Sequence, residues 1–165
     1  CKTALLSRII PSNKKKGHPM SLIFDTHAHY DDEAFDADRE TLLASMPEHG
    51  VGLILDPGCD LGSSRRAVEL ARTYPHVYAA VGWHPENCAP YTEDSLDALR
   101  AWAREPKVVA IGEIGLDYYW EQNPPRELQQ RVLRDQLALA QELGLPVTES
   151  GLVLPCGATG RWSRS

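Results

Sequence analysis

Apolar residues in this chain fall into short unbroken runs that alternate with amphipathic stretches. Leu22–Asp25 is the first run and predicts a short strand. Asp36–His49 carries Leu42, Leu43 and Met46 on one face, with Gly50 just past its end, and predicts a helix. Val51–Leu55 predicts a strand, closed by Asp56-Pro57-Gly58. Asp60–Tyr74 predicts a helix with Val68, Leu70 and Ala71 inward, and Val77–Trp83 a third strand. Thr92 caps a helix running to Arg104, with Leu96, Leu99 and Trp102 at helical spacing. Lys107–Ile111 is rich in β-branched residues and predicts a fourth strand. Pro124 and Pro125 open the longest helix, which reaches Leu143 and stops at Gly144. Leu145-Pro146-Val147 then starts a fifth strand.

Apolar strands without alternation, separated by helices, are parallel strands covered on both faces. The class is α/β, and both an open doubly wound sheet and a (β/α) barrel fit it. No GxGxxG follows the first strand, which lowers the nucleotide-binding version. Polar residues gather just after strand ends, where barrel enzymes keep their chemistry. The expectation is therefore a partial TIM-type (β/α) barrel, about four βα units plus the start of a fifth strand. A closed barrel takes eight such units in about 250 residues.

Composition narrows the function classes. Of 165 residues, 42% are hydrophobic and 24% charged, the balance of a folded domain and not of a disordered chain. No apolar run reaches the about 18 residues of a membrane span, so no membrane role is expected. The net charge of −6 argues against a basic nucleic-acid coat protein and a polybasic membrane binder. Nucleic-acid chemistry here requires a local site, such as a metal, to attract phosphate. Cysteines at 1, 59, 88 and 156 form no CxxC pair and read as buried or idle thiols of a reducing cytoplasm.

Charge also divides the chain. Residues 1–20 hold five basic groups and no acid, whereas residues 21–148 hold 10 basic and 22 acidic groups. Met20 stands directly before the first strand and reads as a natural start. Residues 1–19 then read as a non-native or disordered extension, since Arg8 breaks their apolar run and no small-residue cleavage site follows.

Candidate chemistry lies at the strand ends. Asp25-Thr26-His27-Ala28-His29 follows the first strand. Residues i and i+2 of an extended segment point the same way, so both imidazoles can reach one divalent ion. Asp31 and Asp32 stand just behind them. Gly112-Glu113-Ile114-Gly115-Leu116-Asp117 follows the fourth strand, placing the Glu113 carboxylate between glycines that permit close backbone packing. Asp117 either orients a ligand or caps the segment before Tyr118 and Tyr119. His84, held extended by Pro85, faces the same rim and can donate to a phosphate oxygen. Asp56 reads equally as a rim acid or a turn residue. Trp83, Tyr118, Tyr119 and Trp120 either pack or stack a base.

LIFDTHAHYD, VGWHP, AIGEIGLDYY and QLALAQELGLPV, in that order and spacing, resemble the TatD family of metal-dependent hydrolases over residues 22–147. HxH alone is shared widely, but its combination with GxHP and GE-x-GLD is specific. The resemblance implies a TIM-type barrel with two divalent ions (Mg, Mn or Zn) near the strand ends. It also implies phosphodiester hydrolysis of a DNA substrate by a cytoplasmic deoxyribonuclease. By matching positions, His27 and His29 are implied as metal ligands, Glu113 as the carboxylate bridging both ions, and His84 as a catalytic contact to the substrate phosphate. The alternatives are a related amidohydrolase-type deacylase acting on D-aminoacyl-tRNA, and a non-catalytic remnant.

The resemblance stops after Val147. The family continues with an apolar-x-His-x-Arg motif, but here Thr148-Glu149-Ser150 follows, and no histidine occurs after His84. The sharp loss reads as a reading-frame disruption near codon 148, ahead of a short paralogue with a new role. On that reading residues 20–147 are a half-barrel metallo-hydrolase and 148–165 an aberrant tail. Little or no activity is expected of the chain alone. Half a barrel leaves open strand edges, so self-association through them is expected, with no stable protein partner. Sedimentation and denaturation should show association with a concentration-dependent transition. A sharp, concentration-independent transition of a monomer would contradict this.

Overall fold

The computed structural model describes residues 22–153. The predicted extension 1–19 and most of the predicted aberrant tail lie outside the described residues. Five parallel strands form one curled sheet in chain order: β1 (Ile23–Asp25), β2 (Val51–Pro57), β3 (Val77–Val81), β4 (Val108–Asp117) and β5 (Val147–Val153). Helices α1 (Arg39–Ser45), α2 (Leu61–Thr73), α3 (Glu93–Trp102) and α4 (Arg126–Leu143) fill the connections. The α/β half-barrel expected from the apolar runs is the observed fold. No helix among the described residues is long and apolar enough to cross a membrane.

Local chemistry accounts for the helix limits. Asp60 accepts the Ser63 N–H at 2.7 Å while the Ser63 hydroxyl reaches back to the Asp60 N–H at 2.9 Å, a reciprocal cap that starts α2. Thr92 and Ser95 repeat the arrangement for α3. Gly144 ends α4 at φ +61°, a left-handed conformation that favours glycine. The predicted helix Asp36–His49 is shorter than its apolar pattern. It is α-helical only over Arg39–Ser45 and tightens to a 3₁₀ turn over Met46–His49. Pro47 has no N–H to continue the α-helical ladder there.

Side chains of β3 show how the sheet is covered. Ala79 and Val81 join a core with Ala67, Val68 and Ala71 of α2 and Leu139 of α4. Ala80 belongs instead to a second cluster with Leu55, Val109 and Ala110. Successive residues thus serve opposite faces, and both faces are apolar.

β4 is longer than the apolar run suggests. It continues past Ile111 to Asp117 and carries Glu113 within the strand, not in a following loop. The reason is close packing. A Cβ on Gly82 would sit 2.7 Å from the Gly112 carbonyl carbon, and one on Gly112 would collide with Thr148. The glycines that interrupt the apolar pattern are thus what lets the strands approach. β5 likewise continues beyond Val147, pairing Glu149 with Ile114 and Ser150 with Gly115. The strand therefore extends past the position where the sequence pattern breaks.

Two buried glutamines of α4 complete the strand ends. Gln136 accepts the Trp83 N–H at 2.7 Å and donates to the Trp83 carbonyl at 3.1 Å. Gln129 makes the same pair of bonds to Asp117, both at 2.9 Å. Gln136→Leu would strand both Trp83 backbone groups in a site where Gln136 is only 1% exposed. Each unmade buried bond costs about 1–3 kcal/mol, so a loss of about 2–4 kcal/mol is expected in chemical denaturation. A loss under about 1 kcal/mol would show that these bonds are replaceable.

Candidate metal centre at the strand ends

After β1 the chain stays extended. The Asp25 carboxylate accepts the His27 N–H at 3.3 Å, and the Ala28 N–H donates to the Leu55 carbonyl at 3.1 Å. Ala28 packs on the Leu43, Ile54 and Val77 cluster. His27 and His29 therefore project together to the opposite side, as their spacing predicts. Their Nε2 atoms lie 3.1 Å apart. Glu113 enters from β4, its N–H donating to the Gly58 carbonyl at 2.8 Å. Glu113 Oε2 stands 3.2 Å from His27 Nε2 and 3.7 Å from His29 Nε2.

Two imidazole nitrogens and a carboxylate oxygen thus lie within 4.8 Å of one another. Ligands held about 2.0–2.2 Å from one ion stand about 3–3.5 Å apart, and this mixed donor set suits Zn, Mn or Mg. The residues present fit a divalent cation. The rim position is equally apt, since His27 is exposed while Glu113 is buried.

A second layer surrounds the first. Asp31 is buried, and its N–H donates to Asp56 Oδ2 at 3.1 Å. Arg66 Nε donates to the Asp31 carbonyl at 3.0 Å, with Nη2 3.6 Å from Asp31 Oδ2. His29 Nδ1 lies 3.7 Å from Asp31 Oδ1. The Asp31 carboxylate facing the ring raises the His29 pKa against the opposing effect of burial. Burial, then the neighbouring Asp31 charge, pushes the Asp56 carboxyl up to about 9. The Cys59 thiol, 4.0 Å from Glu113 Oε2, is pushed up to about 12 by burial and then by that carboxylate. It stays a neutral thiol. A cleft of about 490 Å³ opens beside these groups, lined by His29, Asp31, Cys59, Asp60, Ser63 and Arg66 among others.

The remaining candidates divide. His84 is extended at φ −66°, ψ 143°, as a residue before proline should be. Its N–H donates to the Cys59 carbonyl at 2.9 Å, tying it to the loop beside Glu113. The ring itself turns to its own segment, Nδ1 accepting the Glu86 N–H at 3.3 Å. Asp117 caps: it accepts the Tyr119 N–H at 2.8 Å. Asp32 does the same for Ala34 at 2.8 Å. Asp56 is neither a helix cap nor an exposed rim acid, but a buried anchor for Asp31. Sequence reasoning missed Cys59 and Arg66, because nothing in their local patterns marks the neighbours that folding brings.

Comparison with known proteins gives one family. The family described as TatD related DNase matches residues 24–148. The metal-dependent hydrolase YabD of Bacillus subtilis is 40% identical over 126 residues, covering 76% of this chain and 49% of the relative. The 3'-5' ssDNA/RNA exonuclease TatD of Salmonella typhimurium is 37% identical over 125 residues, 76% of this chain and 48% of the relative. The crystal structure of YjjV, a TatD homolog from Escherichia coli, superposes with a TM-score of 0.70 at 40% identity, covering 77% of this chain and 49% of that one. The chain spans about half the length of the curated relatives it matches.

The buried carboxyl of Asp56 sets a pH dependence. Held up at about 9 in the fold, it is neutral at pH 7 but ionises on unfolding above about pH 4. Its contribution to stability is full below about pH 4 and is lost as pH rises toward 9. Asp56→Asn keeps an acceptor for the Asp31 N–H and cannot ionise. Denaturation in EDTA at pH 5 and 8 should show wild type losing stability relative to this variant, by up to about 1.4 kcal/mol per pH unit. Parallel pH profiles would show Asp56 ionised in the fold.

Proposed function

The chain belongs to the TatD related DNase family, and from that premise we propose that His27, His29 and Glu113 are the cation site of a hydrolase that cleaves phosphodiester bonds in single-stranded nucleic acid. The observation that carries this reading is the convergence of three donors, two from the segment after β1 and one from β4, within 4.8 Å. The relative from Salmonella typhimurium, described as an ssDNA/RNA exonuclease, supports the substrate class.

His27, His29 and Glu113 would hold a divalent ion that, when bound, would activate water and offset charge on phosphoryl oxygens. The chain's own residues hold and orient. His27 and His29 offer their Nε2 lone pairs, and Glu113 supplies the negative charge from a buried strand position. His84 Nδ1 accepts a backbone N–H, so its proton sits on Nε2, free to donate to a substrate phosphate oxygen. Cys59, kept neutral by burial, does not compete as a thiolate ligand. Residues 20–147 are the unit that carries the site on this reading. The three donors of the first cluster suffice for one ion and fall short of a two-ion clamp bridged by Glu113. Cleavage by this chain alone should therefore be slow.

The test pairs binding with cleavage. Titration calorimetry should find one Mn²⁺ site, lost in His27→Ala and Glu113→Ala. Single-stranded DNA and RNA should be cleaved slowly with Mn²⁺ or Mg²⁺, and not in EDTA. Both variants should lose more than the about 10–100-fold that follows from removing a ligand's own hydrogen-bond partner. Cleavage untouched by both substitutions would mark a contaminant, and absence of the Mn²⁺ site would overturn the reading.

A further inference from the structure

We propose that Asp31 is a positioning residue that fixes the tautomer and tilt of His29 by accepting its Nδ1–H, which leaves the Nε2 lone pair aimed at Glu113 and the cation. The inference rests on the cation-site reading above and deepens it.

The argument is one of partners. Asp31 is 3% exposed, and each of its polar groups but one is engaged. Its N–H goes to Asp56, and its carbonyl accepts from Arg66 at 3.0 Å and Arg39 at 3.4 Å. Its Oδ2 faces the Arg66 guanidinium at 3.6 Å. Oδ1 alone is buried with no hydrogen-bond partner, and His29 Nδ1 stands 3.7 Å away. A buried carboxylate oxygen without a donor is costly; the imidazole N–H is a donor in reach, and the neutral Asp56 carboxyl is the competing one. Side chains from three separate segments, Asp56, Arg39 and Arg66, bond the Asp31 backbone, and Arg66 also faces its carboxylate, so Asp31 acts as the fixed member and the ring turns to meet it.

The chemistry follows from the ring. A neutral imidazole carries one proton. Placing it on Nδ1 makes Nε2 an acceptor, the form that binds a metal, and a carboxylate partner raises its basicity. Without that partner the proton is free to settle on Nε2 and block the site. The alternative occupant of this corner is a second cation, since His29, Asp31 and Asp56 also bring donor atoms within 4.8 Å. The Arg66 guanidinium already supplies positive charge to Asp31, which favours the tautomer role.

The experiment reads the tautomer and the metal separately. In the metal-free full chain at pH 8.5, imidazole ¹⁵N shifts, assigned by signal loss in His29→Gln, should show His29 protonated on Nδ1. In Asp31→Ala the proton should move toward Nε2, and Mn²⁺ affinity should fall by about 10–100-fold. Asp31→Asn, whose amide oxygen still accepts, should lose less. Wild-type His29 protonated on Nε2 would overturn the proposal without any variant, which covers the case of an Asp31→Ala chain that does not fold. Unchanged tautomer and affinity in Asp31→Ala would overturn it too. So would two Mn²⁺ sites of which Asp31→Ala removes one. A wild-type chain that binds no Mn²⁺ sinks the cation reading, while the ¹⁵N spectrum still decides the Asp31–His29 contact.

Discussion

The curl of the parallel sheet is the constraint on which everything else depends. β1 and β4 are separated by two strands. In a flat sheet three spacings of about 4.8 Å would hold them about 14 Å apart. Yet His27, just after β1, and Glu113, in β4, bring side-chain atoms to 3.2 Å. Only a sheet rolled toward closure lets residues so far apart along it share one point. The roll in turn needs right-handed twist and close strand contact. Gly82 and Gly112 supply that contact, where a Cβ on the first would press against the backbone of the second.

Much of this was legible in the chain. Unbroken apolar runs gave parallel strands, and the period of two placed both histidines on one side. What stayed hidden has a common cause. The end of β4 stays hidden because Gly112 looks like a strand terminus, whereas its missing side chain serves the neighbours β3 and β5. The last turn before β2 was read as α-helix because periodicity is blind to the missing N–H of Pro47. Local pattern reports what a residue does within its own segment. It does not report which other segment will press on it.

The same limit applies to the site. HxH and GE-x-GLD could be found because their geometry is local. Arg66 and Cys59 could not, and Asp56 stood out only as an acid of undecided role, since each acts on a group from a distant part of the chain. Asp117 shows the converse: the contact its carboxylate makes, the cap to Tyr119, lies two residues away and is the local one of its two readings. Gln136 and Gln129 are the least legible of all. They read as polar positions on an amphipathic helix, yet they are buried and close the ends of β3 and β4 with paired backbone bonds.

A proton count ties the second layer to the first. Three acceptor atoms, His27 Nε2, His29 Nε2 and Glu113 Oε2, stand between 3.1 and 3.7 Å from one another. Each neutral imidazole owns a single proton. If that of His29 is directed to Asp31, the His27 proton and the long Cys59 thiol contact to Glu113 are the donors left to the cluster, too few for three facing acceptors. Protonating His29 would relieve part of this at low pH, since Asp31 and Glu113 both favour charge on its ring. Near neutral pH a divalent cation is the simplest species that meets all three acceptors at once. On the proposed tautomer, the buried Asp31 is what leaves His29 Nε2 an acceptor within this cluster.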